Sequence, residues 1–323
     1  MEIKDIAKII LESNKIGIAF HTAPDGDAIG STLGLLGALK QLNKDVYVIS
    51  REIVPDNLSF LPLAGVIDGS ENEPTYGTDL VIVLDCGNAD RICADLEDYE
   101  GTIINIDHHI SNDKYGAINY VEEKSAATAE IIFSLVEALG LSFASKTDSI
   151  IRVGTCLYTG ILTDTGSFRH SNVTERTHLI VSKLIAAGVN NNKIHSSLYE
   201  NRPYQKVKLI GAALSNLELL LKQKVAYVEL SMELLQTFNL GNVDTSDIIS
   251  TALSIENVEV AVVVKGVDDG VKGSLRSKAD FDVRKVAEAL SGGGHIKASG
   301  LKLKGASLSK AKEKILNEIA KSL

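Results

Sequence analysis

The sequence predicts an α/β fold with an N-terminal, mainly parallel sheet covered by helices on both faces, followed by a smaller C-terminal α/β domain. The first observation is a series of uninterrupted apolar runs, such as residues 80–84. Such runs are typical of strands that are buried on both faces of a parallel sheet. The second is that helical patterns separate these runs, as crossover connections require. The third is a change of pattern from residue 225 onwards, which indicates a second domain in this chain of 323 residues.

The N-terminal part alternates strands and helices along the chain. The predicted strands are 15–20, 45–50, 80–85 and 102–106. The predicted helices are 1–14, 28–42, 125–139, 150–163 and 174–187. The first helix places Ile3, Ile6 and Ile10 on one face. The second contains Gly30 and Gly34, whose small size allows close packing.

The C-terminal part begins after a connecting region. Residues 191–222 are predicted to form a helical linker, with Arg202-Pro203 as a hinge. The strands predicted beyond it are 225–230, 258–265, 273–277 and a last one after residue 295, with helices at 283–290 and from residue 307. The predicted domains are therefore 1–190 and 223–323, joined by this linker.

The charge is distributed unevenly between the two parts. The net charge is −9, but residues 1–204 hold 16 Lys and Arg against 28 Asp and Glu, a net of −12. Residues 205–323 hold 17 against 14, a net of +3. A protein that binds long duplex nucleic acid would carry a basic stripe instead. Aromatic residues make up only 5% and Trp is absent, which argues against long rows of stacked bases.

The cysteines and the apolar runs bear on the compartment. Cys86, Cys93 and Cys156 are odd in number and form no C-x-x-C pair, which favours free thiols in a reducing cytoplasm. The first residues read as a charged amphipathic helix rather than a signal segment. No apolar run approaches the roughly 20 residues that span a bilayer. We therefore expect a cytoplasmic protein without a membrane partner.

Polar residues with metal-binding chemistry follow the predicted strands. They are His21, Asp25 and Asp27, then Asp85, then Asp107, His108 and His109, and finally Asp164 at the end of a helix. The carboxyl ends of parallel strands meet at one edge of a sheet, so these side chains are expected to converge. Carboxylates and imidazoles are ligands for divalent cations. Acids this close together repel one another unless a cation lies between them.

Each residue taken alone also fits a structural role. A single Asp here would suit a helix N-cap or an Asx-turn, and Asp164 would suit a helix end. A lone His is more often a structural group than a ligand, but the adjacent pair His108 and His109 makes that interpretation weaker. Asp107 fits two roles: a ligand, or a carboxylate that holds the far ring nitrogen of a ligating His.

The C-terminal part offers candidates for phosphate binding. Gly292, Gly293 and Gly294 would let the backbone approach an anion closely, and His295 adds a donor, although a flexible loop is the alternative. Arg276 is a second candidate, although by default it is a surface charge.

The N-terminal part offers two weaker candidates for substrate contact. Arg91, near Asp85, is a candidate for phosphate contact. Phe168 suits base stacking but fits core packing better.

In this order, the motifs resemble those of the DHH phosphoesterase superfamily over nearly the full chain, in the branch with a glycine-rich C-terminal DHH-associated domain. The resemblance implies two divalent ions. His21, Asp25 and Asp85 would hold one ion, and the other would be held by Asp27, Asp85, His108 and Asp164. It also implies catalytic roles for Asp107, as support of His108, and for His109, at the scissile phosphate. Arg276, His295, the glycine run and Arg91 would bind the substrate.

Within the superfamily, the chain is most similar to bifunctional oligoribonucleases and pAp phosphatases. This resemblance implies hydrolysis of short oligoribonucleotides such as pApA, or of pAp to AMP and phosphate, without a Ser or Cys nucleophile. It also allows a homodimer. Mixed His and Asp ligation favours Mn²⁺ over Mg²⁺.

The same metal motifs leave a soluble cyclic di-AMP phosphodiesterase as the alternative, and a non-catalytic nucleotide sensor as a weaker one. An exonuclease for long single strands would need an extra binding domain and more basic surface. An inorganic pyrophosphatase of the family II type would lack the glycine-rich ending. Substrate preference and the direction of degradation stay open.

Overall fold

The computed structural model describes residues 2–241, 243–278 and 280–323. The chain forms two compact units, residues 1–201 and 202–323. This division falls inside the predicted linker. The α/β fold class is confirmed, because the first unit has a parallel sheet flanked by helices and the second has a smaller mixed sheet with helices.

The first unit is built on five parallel strands in the order β2-β1-β3-β4-β5. Their bounds are β1 Lys15–Ala19, β2 Asp45–Val48, β3 Leu80–Leu84, β4 Thr102–Asp107 and β5 Ile118–Val121. The central strand β3 is buried throughout, as its apolar run predicted. The edge strand β5 was not predicted, because it has only four half-buried residues and no continuous apolar run.

Helices cover one face of this sheet, so the prediction of helices on both faces holds for one face only. They are α1 Ile3–Glu12, α2 Gly26–Gln41, α3 Thr128–Ala138, α4 Asp148–Asp164, α5 Glu175–Ala187 and α6 Asn191–Tyr199. Helices α2 and α4 approach each other closely at Gly30, where a Cβ atom would lie 2.5 Å from the Cys156 carbonyl oxygen. The close approach places the start of α2 beside the end of α4, so ligands from both helices can share one site.

Irregular segments pack on the other face of the sheet. Val81, Val83 and Ile49 form a small apolar cluster there, and it is covered by side chains from residues 86–99 and by Tyr115. The same segments lie next to the carboxyl ends of the strands. Their backbone therefore forms part of the surroundings of the site.

The second unit has a six-stranded sheet in the order β10-β11-β9-β8-β7-β6, in which only β7 and β8 pair in parallel among the described residues. The strands are β6 Glu218–Leu220, β7 Val225–Leu230, β8 Val260–Val267, β9 Gly270–Ser277, β10 Gly293–His295 and β11 Ala298–Lys304. The helices are α7 Tyr204–Ser215, α8 Met232–Thr237, α9 Ser246–Leu253, α10 Val283–Ala289 and α11 Leu308–Ala320.

Two apolar clusters bury the two faces of this sheet. Val262 and Val271 pack on the side of α10 and α11, and Val263 and Ala261 pack on the side of α7 and α9. Within the described part of the chain, no helix is both long enough and apolar enough to cross a bilayer.

Candidate metal centre

Seven side chains converge at the carboxyl edge of the parallel sheet in the first unit. They are His21, Asp25, Asp27, Asp85, His108, His109 and Asp164. Asp27 lies in the first turn of α2 and Asp164 at the end of α4, and the loops after β1, β3 and β4 provide the other five. The crossover pattern explains this arrangement, because every parallel strand ends at the same edge.

The first group of ligand atoms belongs to His21, Asp25 and Asp85. His21 Nε2 lies 3.8 Å from Asp25 Oδ1 and 3.6 Å from Asp85 Oδ2. The other ring nitrogen, Nδ1, lies 3.0 Å from the carbonyl oxygen of Thr22. A ligating His usually donates its other N–H to such an acceptor, which directs the Nε2 lone pair towards the metal.

The second group belongs to Asp27, His108 and Asp164. His108 Nε2 lies 3.6 Å from Asp164 Oδ2 and 3.7 Å from Asp85 Oδ1. Its Nδ1 lies 3.1 Å from the carbonyl oxygen of Ser125. His108 therefore has the same arrangement as His21, with Nδ1 at a backbone carbonyl and Nε2 facing carboxylates.

Asp85 lies between the two groups and turns one oxygen towards each of them. Its Oδ2 faces His21 and its Oδ1 faces His108. The residue is 2% exposed and has a φ of +53°, in the left-handed region that non-glycine residues rarely adopt. Strained backbone of this kind clusters at functional sites and costs about 1–3 kcal/mol. The hydroxyl of Thr128 donates to Asp85 Oδ1 at 2.9 Å.

The backbone at the first turn of α3 binds the carboxylate of Asp27, which itself lies in α2. The backbone N–H groups of Thr128 and Ala129 donate to its two carboxylate oxygens at 2.6 and 2.9 Å, and the Ser31 hydroxyl donates at 3.1 Å. The positive end of a helix stabilises a buried carboxylate. Thr128 and Ser31 were not predicted. The small residues around 125–130 indicated only a helix start, and Thr128 lies about a hundred positions from Asp27. Ser31 lies one helical turn after Asp27, at the i, i+4 spacing that lets two side chains meet.

The electrostatics of the cluster favour a bound cation. Burial raises the pKa of Asp27 well above its usual value, and the charges of Asp85 and Asp164 raise it further. Burial, together with the charge of Asp85, raises the pKa of Asp164 to about 7 although His108 opposes this shift. Burial lowers the pKa of His21, but the neighbouring carboxylates outweigh it and raise that pKa to about 10. The pKa of Asp25 moves the other way, because burial raises it but His21 outweighs burial and lowers that pKa to about 2. The repulsion that raises the pKa values of Asp27 and Asp164 is what bound cations would relieve.

The donor set fits divalent ions in geometry as well. Ligand atoms about 2.1 Å from one ion lie roughly 3.0–3.5 Å from each other. The separations of 3.6–3.8 Å between His and Asp atoms are close to this and too long for hydrogen bonds. The residues can therefore hold divalent metal.

Asp107 and His109 form a hydrogen-bonded pair beside the ligand groups, and His109 Nδ1 also lies 3.7 Å from Asp85 Oδ1. Asp107 is fully buried, and its Oδ1 accepts from His109 Nδ1 at 2.7 Å and from the backbone N–H of His108 at 2.8 Å. Asn112 donates to the other oxygen at 2.6 Å. The prediction that Asp107 supports the His108 ring is wrong, because Ser125 takes that position. Asp107 supports the ring of His109.

Two further predicted residues, Arg91 and Phe168, lie in the first unit. Arg91 is exposed, and its carbonyl oxygen accepts from the N–H of Thr22 at 2.7 Å, beside the His21 loop. Phe168 packs against Tyr158 and His178, as expected for a core residue.

The other predicted residues lie in the second unit. Gly293, Gly294 and His295 form strand β10, paired with β11. Arg276 and His295 both pair with Ala298, so their side chains share one face of the sheet, two strands apart. A Cβ atom at Gly292 would lie 2.3 Å from the Gly300 carbonyl oxygen, so close contact with β11 requires glycine there.

The fold and the site define an α/β protein with a His and Asp centre suited to divalent metal at the edge of a parallel sheet. Residues 15–161 match the N-terminal domain of the DHH family, and residues 222–322 match the DHHA1 domain. The chain belongs to the DHH family, whose phosphoesterases are metal-dependent.

Relatives and solved structures cover nearly the whole chain. It is 33% identical to the bifunctional oligoribonuclease and PAP phosphatase NrnA of Thermus thermophilus, over 95% of this chain and 90% of that one. It is 30% identical to the NrnA of Bacillus subtilis, over 87% and 86%. A crystal structure of an exopolyphosphatase-related protein from Bacteroides fragilis has a TM-score of 0.89, 28% identity, and coverage of 99% and 95%.

Proposed function

We propose that this chain is a two-metal phosphoesterase that hydrolyses short oligoribonucleotides, including pApA, to mononucleotides, and pAp to AMP and phosphate. The observation that carries the proposal is the pair of ligand groups that share Asp85. The similarity to the oligoribonuclease and PAP phosphatase relatives supports the substrate class.

One ion is held by His21, Asp25 and Asp85, and the other by Asp27, Asp85, His108 and Asp164. When bound, divalent ions at such a centre supply a water of lowered pKa as the nucleophile and neutralise charge at the phosphorus. Manganese suits the mixed set of imidazole and carboxylate ligands. The four aspartates bring a formal charge of −4, which two divalent cations balance.

The protein's own groups fix and orient the substrate. His109 contacts the scissile phosphate through Nε2, since Nδ1 is held by Asp107. Burial lowers the pKa of His109, but the hydrogen bond to Asp107 and the charges of Asp85 and Asp107 outweigh it and raise the pKa to about 9. A protonated His109 donates a charge-assisted hydrogen bond to a phosphate oxygen at neutral pH.

The remaining predicted residues bind other parts of the substrate. Arg91, at the rim of the His21 loop, binds a phosphate. In the second unit, Arg276, His295 and the glycines 292–294 bind a phosphate or the sugar-phosphate end. The common face of Arg276 and His295 supports this role, because the side chains project from neighbouring positions on one sheet surface.

The compartment, the partners and the oligomeric state are proposed on similar grounds. We propose a cytoplasmic protein, since its three cysteines are free and buried, as a reducing compartment favours. Its partners are short RNA and small nucleotides rather than long duplexes or membranes, and the active form is a homodimer. Gel filtration of the pure protein with light scattering tests the dimer.

The function is tested by assaying pAp, pApA, cyclic di-AMP and pyrophosphate side by side with Mn²⁺. We expect turnover of pAp and pApA that disappears with EDTA and returns when Mn²⁺ is added. Faster turnover of cyclic di-AMP than of pApA would replace the proposed substrate class with the cyclic-dinucleotide alternative. Tight binding of metal and pAp without turnover of any substrate would make the chain a sensor.

A further inference from the structure

A short turn from Glu122 to Ser125 supports the ring of His108 from behind. The Ser125 carbonyl oxygen lies 3.1 Å from His108 Nδ1, and Ser125 is buried. Two bonds close the turn: the Ser125 N–H donates to the Glu122 carbonyl oxygen at 2.9 Å, and the Ser125 hydroxyl donates to Glu122 Oε2 at 3.0 Å. The Glu122 side chain therefore helps fix the carbonyl that orients His108.

Arg176 on α5 holds this turn in place. Its Nη1 lies 2.6 Å from Glu122 Oε1, and its Nη2 donates to the Ser134 hydroxyl on α3 at 3.1 Å. One guanidinium thus links the turn behind His108 to the helix whose first N–H groups hold Asp27. The elements that support two ligands of the second group meet at this side chain.

The partial exposure of the Arg176–Glu122 pair indicates a small effect on stability and a larger effect on position. The side chains of Arg176 and Glu122 are 38% and 30% exposed. Ion pairs with this exposure contribute little to global stability. The planar guanidinium, however, bonds two partners in a fixed geometry that a lysine ammonium does not reproduce. Its main effect is to fix two elements relative to each other.

We propose that Arg176 and Glu122 are positioning residues for the metal centre, acting through the Ser125 carbonyl on His108. This inference rests on the metal centre proposed above. A group that contacts a ligating side chain directly, as the Ser125 carbonyl does, typically changes metal affinity about 10–100-fold when it is altered. Glu122 acts one contact further out and Arg176 two, so their effect is smaller. The metal of the second ligand group should therefore depend on a salt bridge whose residues touch neither metal nor substrate.

The test is titration of metal-free protein with Mn²⁺, with unbound Mn²⁺ measured by electron paramagnetic resonance. We expect Glu122→Gln and Arg176→Ala each to weaken binding of one ion, by up to about tenfold. Arg176→Lys should recover part of the affinity. The control is Glu137→Gln, which breaks the Lys183–Glu137 pair (3.3 Å) between the same two helices, away from the ligands. It should bind Mn²⁺ like the natural protein.

Thermal unfolding of the same metal-free proteins distinguishes position from stability. Glu122→Gln should unfold within a degree or two of Glu137→Gln. Unchanged Mn²⁺ affinity in both Glu122→Gln and Arg176→Ala would overturn the inference, and so would an affinity loss equal to that of the control. If the natural protein itself bound no Mn²⁺, the proposed metal centre would fail, which is a different outcome.

Discussion

Thr128 offers a sensitive test of how the centre is supported, because one hydroxyl can be removed with little change of shape. The residue is fully buried, and its Oγ1 donates to Asp85 Oδ1 at 2.9 Å. In Thr128→Val the backbone N–H that donates to Asp27 remains. The α3 N-cap is Ala127, so the change does not remove a capping side chain.

The expected magnitude follows from the kind of bond that is lost. A hydrogen bond to a charged group contributes about 1.5–3 kcal/mol. The bond is already made in this structure, so its loss weakens metal binding to the extent that the Asp85 carboxylate turns away from the ions, and roughly 10–100-fold is the upper limit. Because Asp85 faces both ligand groups, both ions should be affected, unlike the single ion expected for Glu122→Gln.

The assay is Mn²⁺ titration together with kcat/KM for pApA. Thr128→Ser keeps the hydroxyl and should stay near the natural protein. Thr32→Val is the matched control, since Thr32 is fully buried and its hydroxyl has no hydrogen-bond partner among the described residues. That change should leave metal affinity intact and leave stability equal or higher. Unaltered Mn²⁺ affinity in Thr128→Val would refute the idea that this hydroxyl orients Asp85.

Three other outcomes are expected. Asp85→Ala should abolish turnover and Mn²⁺ binding at both sites, and near-normal activity would contradict a shared ligand. Arg276→Ala should raise KM for pApA about tenfold or more with unchanged metal content. Loss of metal in this variant would contradict a role for Arg276 in substrate binding alone. The pKa values of His21 and His109 are raised from 6.5 to about 10 and about 9, so their stabilising protons are lost as pH rises. The melting temperature of metal-free protein should therefore fall between pH 6.5 and 9, while Mn²⁺ should raise it increasingly. A metal-free curve that rises with pH would contradict this sign.

Much of the fold could be predicted from local pattern. The apolar run at 80–84 became the fully buried β3, because a strand in the middle of a covered sheet needs apolar residues on both faces. The edge strand β5 could not be predicted in this way. Its residues are half-buried, and only pairing with β4 stabilises them as a strand. Helix α9 was also not predicted, although the shorter α10 was.

The same difference between local pattern and distant contacts applies to the site. Ligand types could be predicted because strand-end carboxylates and imidazoles carry the chemistry in their own side chains. The hydrogen bonds that orient them depend on distant partners, such as Ser125 for His108 and Thr128 for Asp85. The assignment of Asp107 to His108 failed because adjacent residues at a strand end point in different directions. The register that places Asp107 below His109 is fixed by the packed sheet, not by sequence distance.

The position of Asp85 links the strain of the backbone to the proposed chemistry. A glycine would adopt a φ of +53° without the steric cost that Asp85 carries. A buried carboxylate beside Asp27 and Asp164 adds electrostatic repulsion to that cost. In the metal-free protein these costs are offset by the Thr128 hydroxyl and by the charged form of His21. The left-handed turn directs the two carboxylate oxygens to opposite sides, towards His21 and His108. These opposed directions, rather than the positive φ alone, favour a shared ligand over a structural turn residue.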